Sequence, residues 1–185
     1  MAGVALKASN GLSLMAKLNS RPGTYALVLH AEAAEHVEVG RLGHLEVAPG
    51  FYVYVGSARG PGGLSAQISR HWAIAKRLRW HMDYLREVTT PTEAWYTCDA
   101  LRRECAWADV FRQMPGASLP LTGFGSSDCT CPSHLFFFGE KPSRAAFIRR
   151  LRRVVVGHGP VHCETMAPRG GDQARCCVVC PAVCD

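Results

Sequence analysis

Gly23-Thr24-Tyr25-Ala26-Leu27-Val28-Leu29-His30 and, further on, Phe51-Tyr52-Val53-Tyr54-Val55-Gly56 decide how this chain folds. In the first stretch Tyr25, Leu27 and Leu29 fall on one side and Thr24, Ala26 and Val28 on the other, the period-two pattern of a strand. The second stacks Phe51, Tyr52, Val53, Tyr54 and Val55 without a break, also as a strand. Short turns join these stretches through a further strand-like run, Val37 to Val47, that lies between them. Such connections force antiparallel neighbours, because a parallel pair needs a crossover of about a dozen residues or more. The expected fold class is α/β, with a small, mainly antiparallel sheet of roughly three to five strands flanked by helices.

Working outward, Val37 to Val47 alternates well enough to read as one strand before Pro49-Gly50. Gly60-Pro61-Gly62-Gly63 breaks the chain, and Leu64, Ile68, Trp72 and Ala75 then recur at helical spacing over about Gly63 to Lys76. A short helix is expected over Trp80 to Glu87 and a strand over Thr92 to Cys98. Asp99 is placed to cap a helix running from Leu101 to Met114, which Pro115 ends. Leu119 to Pro132 reads as a Gly/Ser-rich loop, Ser133 to Gly139 as an aromatic strand, and Pro142 to Val155 as a basic helix. The organisation this implies is an extension over 1–20, a domain over 21–140, the basic helix within 141–157 and a Cys-rich tail over 158–185.

The triplets Gly23-Thr24-Tyr25 and Tyr54-Val55-Gly56, followed by Ser57-Ala58, a glycine break and a helix, resemble the core of the GIY-YIG nuclease family over roughly Arg21 to Gly139. Arg79-Trp80-His81-Met82-Asp83-Tyr84-Leu85, Glu104-Cys105 and the run from Gly123 to Leu135 resemble a small branch of it, sometimes joined to an endonuclease III type repair enzyme. The resemblance implies a metal-dependent endonuclease that hydrolyses DNA phosphodiester bonds in repair or DNA processing. Tyr25 matches the first-motif tyrosine, which deprotonates or orients water, and Tyr54 matches the second. Glu104 matches the single metal-binding carboxylate, suited to Mg2+ or Mn2+, and His71 a polar pocket residue. The competing structural readings are core packing for both tyrosines and a surface salt-bridge face for Glu104 beside Arg102 and Arg103.

One position departs from the family. Where an arginine should contact the scissile phosphate the chain has Gln67, which can donate a hydrogen bond but brings no charge. Arg70 and His71 project from roughly the same helical face, and Arg70 is the candidate substitute. The alternative function is a non-catalytic nucleic-acid-binding module that has lost its arginine.

The 185 residues are 48% hydrophobic, which suits one domain with an appendage and excludes wholesale disorder. No apolar run reaches the length of about 18 residues that would span a bilayer, and Met1 to Ser20 lacks a signal-peptide core. No membrane association and a cytoplasmic location are therefore expected. A formal charge of +6 favours a polyanion. Its cations cluster at Arg70, His71, Lys76, Arg77 and Arg79, at Arg102 and Arg103, and at Arg144, Arg149, Arg150, Arg152 and Arg153. Each cluster alone reads as a solvated helix face. Beside the nuclease-like pattern they read as phosphate contacts, with DNA foremost as partner and Gln67, Lys76, Arg77 and Arg79 on its backbone.

Nine cysteines without an export signal are expected as reduced thiols. Cys129, Cys131 and His134 have metal-compatible spacing but lack a visible fourth ligand, for which Cys105, His81 and Asp83 are candidates. A buried thiol cluster is the preferred reading there. In the tail, Cys177-Val178-Val179-Cys180 could join His158, His162, Cys163 and Cys176, yet the knuckle is single and crowded. A structural zinc is thus considered and not favoured.

Overall fold

The computed structural model describes residues 20–72 and 80–165. Its strands are β1 (Gly23–Ala31), β2 (Glu35–Glu38), β3 (His44–Val47), β4 (Gly50–Ala58), β5 (Thr90–Thr97), β6 (Leu135–Phe138) and β7 (His162–Thr165). Its helices are α1 (Gly63–Trp72), α2 (His81–Leu85), α3 (Glu104–Arg112) and α4 (Arg144–Val154). Five strands form one sheet in the order β6-β4-β1-β5-β7, every pair antiparallel. The expected fold class is the one observed.

β1 lies at the centre because both of its faces are apolar. Tyr25, Leu27, Leu29 and Ala31 pack with Leu64 and Ile68 of α1, Met82 and Leu85 of α2, and Phe124. Ala26 and Val28 pack with Trp107 and Phe111 of α3 and Phe147 and Leu151 of α4. Its register with β5 shifts between Val28 and Leu29, opposite Pro91, which has no N–H to give to the ladder.

Several boundaries differ from the sequence reading. The expected single strand from Val37 to Val47 is a hairpin, β2 and β3, separated by a short 3-10 turn at Gly40–Leu42. Gly40 and Gly43 have φ of 48° and 102°, conformations open to glycine that fold the alternating run back on itself. α3 begins at Glu104 rather than Leu101. The Asp99 carboxylate instead accepts from the Leu101 N–H at 2.9 Å and pairs with Arg103 at 2.8 Å, which caps the preceding turn and leaves the helix to start later. α4 is capped by Ser143, whose hydroxyl accepts from the Ala146 N–H at 3.3 Å. β7 pairs with β5 and so carries the sheet beyond residue 158, the start of the expected tail. Among the described residues no helix is long and apolar enough to cross a membrane.

Candidate active site

β1 and β4 pair so that Tyr25 stands opposite Gly56. A Cβ added at Gly56 would fall 2.5 Å from the Tyr25 Cζ and hydroxyl oxygen, so the ring occupies the space that any other residue's side chain would fill. That is the physical reason for a glycine closing the second triplet. Tyr54, two residues earlier on the same face, brings its ring centroid to 6.4 Å from that of Tyr25. His71, in the last turn of α1, lies 5.8 Å from the Tyr25 ring and 5.9 Å from the Tyr54 ring. The Tyr25 hydroxyl is 3.0 Å from His71 Nε2. Glu104 enters as the first residue of α3, only 5% exposed. A cleft of about 540 Å³ is lined by these four residues and Gln67, with Arg59, His81, Arg102 and Asp128 among the others on its wall.

Burial dominates the electrostatics. It pushes the Tyr25 phenol well above its ordinary pKa, reinforced by the nearby Tyr54 and Glu104, and Arg70 opposes this only weakly. Tyr54 is raised as well, by burial first and then by Glu104, Asp128 and Asp83. Lowering of a tyrosine pKa by neighbouring cations, which a free phenolate base would need, is therefore not what surrounds Tyr25. Burial also lowers His81, whose Nδ1 accepts the Gly125 N–H at 3.3 Å.

Glu104 is approached from two sides. Its Oε2 takes Arg102 Nε at 3.1 Å and Nη2 at 3.0 Å, and its Oε1 lies 3.2 Å from His134 Nδ1. The Arg102 guanidinium also reaches Asp128 at 2.6 Å. Its hydrogen bonds to Asp128 and Glu104 hold Arg102 above its ordinary pKa, and the same contact with Arg102 holds Asp128 below its own. A carboxylate offers about four lone-pair directions, so Glu104 keeps acceptor capacity for a hard cation facing the cleft.

The remaining expected site residues separate. Arg70 turns its Nη2 to Asp83 Oδ2 at 2.9 Å, and Asp83, with no exposed side-chain surface, also accepts the Trp80 N–H at 3.0 Å. Arg70 is not on the cleft wall, whereas Gln67 is. Lys76, Arg77 and Arg79 lie outside the described residues. Arg59 was not singled out by sequence, and Arg102 only as part of a basic cluster, yet both line the cleft. The signal for Arg102 was its place two residues before Glu104, which also made it look like half of a surface ion pair.

Beside Glu104 a second constellation forms. The donor atoms of Cys105, Cys129, Cys131 and His134 all lie within 4.8 Å of one another, a set that could hold a metal ion. Of the three candidates for the fourth ligand, Cys105 is the one that closes it. His134 is fully buried, and its Nε2 lies 3.4 Å from Cys129 Sγ. Burial, with the neighbouring thiols adding to it, pushes Cys131 up to about 12, and burial raises Cys105. The tail cysteines Cys176, Cys177, Cys180 and Cys184 lie outside the described residues.

The model of one protein family, described as a domain of unknown function, DUF123, matches residues 24–156. Neither a curated protein nor a solved structure matches the chain.

Proposed function

We propose that this chain, which belongs to the DUF123 family, is a metal-dependent endonuclease that hydrolyses DNA phosphodiester bonds, as its resemblance to GIY-YIG nucleases implies. The observation that carries the reading is the convergence of Tyr25, Tyr54, His71 and Glu104, from two strands and two helices, on one cleft. Phosphodiester hydrolysis needs a route for the water proton, positive charge for the pentacovalent phosphate and stabilisation of the leaving oxygen. Glu104, with Asp128 on the same wall, would hold Mg2+ or Mn2+, which supplies the last of these as a Lewis acid.

The chain's own groups divide the other tasks. Because burial disfavours the Tyr25 phenolate, Tyr25 orients the attacking water and hands its proton on to His71, 3.0 Å away, rather than standing as an isolated base. Arg102 and Arg59 put positive charge on the wall where Gln67 supplies none. Tyr54 borders the same space and packs against the His71 ring. The family's arginine role thus passes to Arg102 or Arg59, which line the cleft, in preference to Arg70, which does not.

Gln67 on the cleft wall supports the second reading, a DNA-binding module without catalysis. The two are separated by incubating purified protein with branched, nicked, single-stranded and plasmid DNA in Mg2+ or Mn2+. The nuclease reading expects metal-dependent cleavage that Glu104→Gln abolishes, with DNA binding kept and falling steeply with salt. Salt-sensitive binding without cleavage of any substrate leaves the module. Absence of binding at low salt removes both.

A further inference from the structure

We infer that Cys105, Cys129, Cys131 and His134 form a structural zinc site that holds Glu104 in position through the His134 ring. Around tetrahedral zinc, with Zn–S near 2.3 Å and Zn–N near 2.0 Å, neighbouring donors stand roughly 3.3 to 3.8 Å apart. His134 Nε2 and Cys129 Sγ already meet that spacing at 3.4 Å, and all the donor atoms lie within 4.8 Å of one another. A contraction of about an ångström completes the tetrahedron. Three thiols and an imidazole are a soft donor set, matched to zinc and not to the hard cations that suit Glu104. Four protein donors leave no open coordination position, which marks the site as structural rather than catalytic.

The backbone that carries the donors is already fixed. The His134 carbonyl accepts from the Val55 N–H at 2.9 Å, beside Tyr54, and the His134 N–H donates to the Phe124 carbonyl at 2.8 Å. The Gly123 N–H reaches the Pro132 carbonyl at 2.7 Å, closing the loop that brings Cys129 and Cys131 to the start of α3. Cys105 is there because it follows Glu104 in the chain. An ion held by these four donors would therefore cross-link the loop to α3 one residue from the carboxylate.

The two nitrogens of His134 divide between the two sites. Nε2 faces the thiols, and Nδ1 faces Glu104 Oε1 at 3.2 Å without hydrogen-bond alignment. A metal on Nε2 fixes the ring proton on Nδ1 and so converts this contact into a donor aimed at Glu104, the arrangement in which a carboxylate, a histidine and zinc lie in series. His134 is then a positioning residue. The zinc site stands on donor geometry alone, whereas the importance of holding Glu104 rests on the nuclease reading.

The test uses the full chain purified under reducing conditions. Metal analysis should find one zinc per chain, retained when Cys176, Cys177, Cys180 and Cys184 are all changed to Ser and lost to a chelator in Cys105→Ser, an exposed position where folding should survive. Cobalt in place of zinc should give the visible spectrum of a tetrahedral thiolate site, weakened by Cys105→Ser. No zinc and no cobalt uptake, a Cys129–Cys131 disulfide in their place, or a zinc that leaves with the tail serines but not with Cys105→Ser, each overturns the site. His134→Cys keeps four ligands but removes Nδ1. It should retain zinc and bind Mn2+, followed by its paramagnetic resonance, about 10- to 100-fold more weakly than the natural chain. Unchanged Mn2+ affinity overturns the positioning role and leaves the zinc site. A zinc-loaded natural chain that binds no Mn2+ counts against the nuclease reading, and with it the positioning role, while the zinc count still decides the site.

Discussion

The two faces of β1 put neighbouring residues into opposite kinds of environment. Behind Ala26 and Val28 lies a dry aromatic pile: Phe111 stacks on Phe147 at 4.3 Å, and Trp107 meets Phe147 edge-on at 5.0 Å. Trp95 stacks on Phe111 at 5.9 Å, and Phe136 lies 6.0 Å from Phe111. In front of Tyr25 the tyrosine rings carry polar ends beside Phe124, and His71, Asp83, Glu104 and His134 are buried with or around them. Apolar packing contributes stability without direction, whereas each buried polar group must be met by a partner or it costs free energy. One face thus supplies the stability that lets the other face keep its ionisable groups in fixed places.

The sharpest way to break this comparison is Phe111→Ala. The side chain is fully buried among three aromatic neighbours, so its loss should cost about 3 to 5 kcal/mol, seen as a lower melting temperature and denaturant midpoint. Cleavage by the fraction still folded should be unchanged below the transition. If instead the specific activity of folded protein collapsed, the two faces would not be separable.

Arg70→Ala comes next and tests the front face. Removing the guanidinium leaves the Asp83 carboxylate buried with its remaining partners, and breaking a buried pair from one side costs about 3 to 5 kcal/mol. Arg70 is one-third exposed, which places the expected loss at the low end of that range or below it. Measured by thermal melting beside a salt titration of DNA binding, the variant should lose stability and keep its salt slope. A slope reduced by about one, with stability intact, would mean that Arg70 leaves Asp83 to contact a phosphate.

How much of this was legible follows from where the information sits. The faces of β1 and the antiparallel pairing could be read because strand alternation and short connections are local. The β2–β3 hairpin was missed because Gly40 and Gly43 sit inside an alternating run, where their left-handed φ leaves no trace in the pattern. β7 was missed because His162 to Thr165 becomes a strand only against β5. Tyr25, Tyr54, His71 and Glu104 could be singled out because each lies beside a recognisable motif, and the four line one cleft. Arg102 and the closing ligand Cys105 were harder. Both derive their meaning from partners at Asp128 and Cys131, some 26 residues away in the chain, and no spacing rule connects them.

Tyr25→Phe should have the smallest effect on stability and so discriminates best between the faces. The ring and its seat over Gly56 remain, and only the hydroxyl near His71 Nε2 goes. A single neutral hydrogen bond contributes about 0.5 to 1.5 kcal/mol, with some excess here because His71 is buried beside it. The melting temperature should therefore move by only a few degrees. If the hydroxyl carries the water proton to His71, cleavage should fall by about 100- to 10,000-fold while DNA affinity and its salt slope stay as they were. A hydroxyl that merely anchors His71 predicts a different outcome: a modest loss of rate matched by the loss of stability. The ratio of the two effects, rather than either alone, decides whether Tyr25 belongs with the packing of its own face or with the chemistry in front of it.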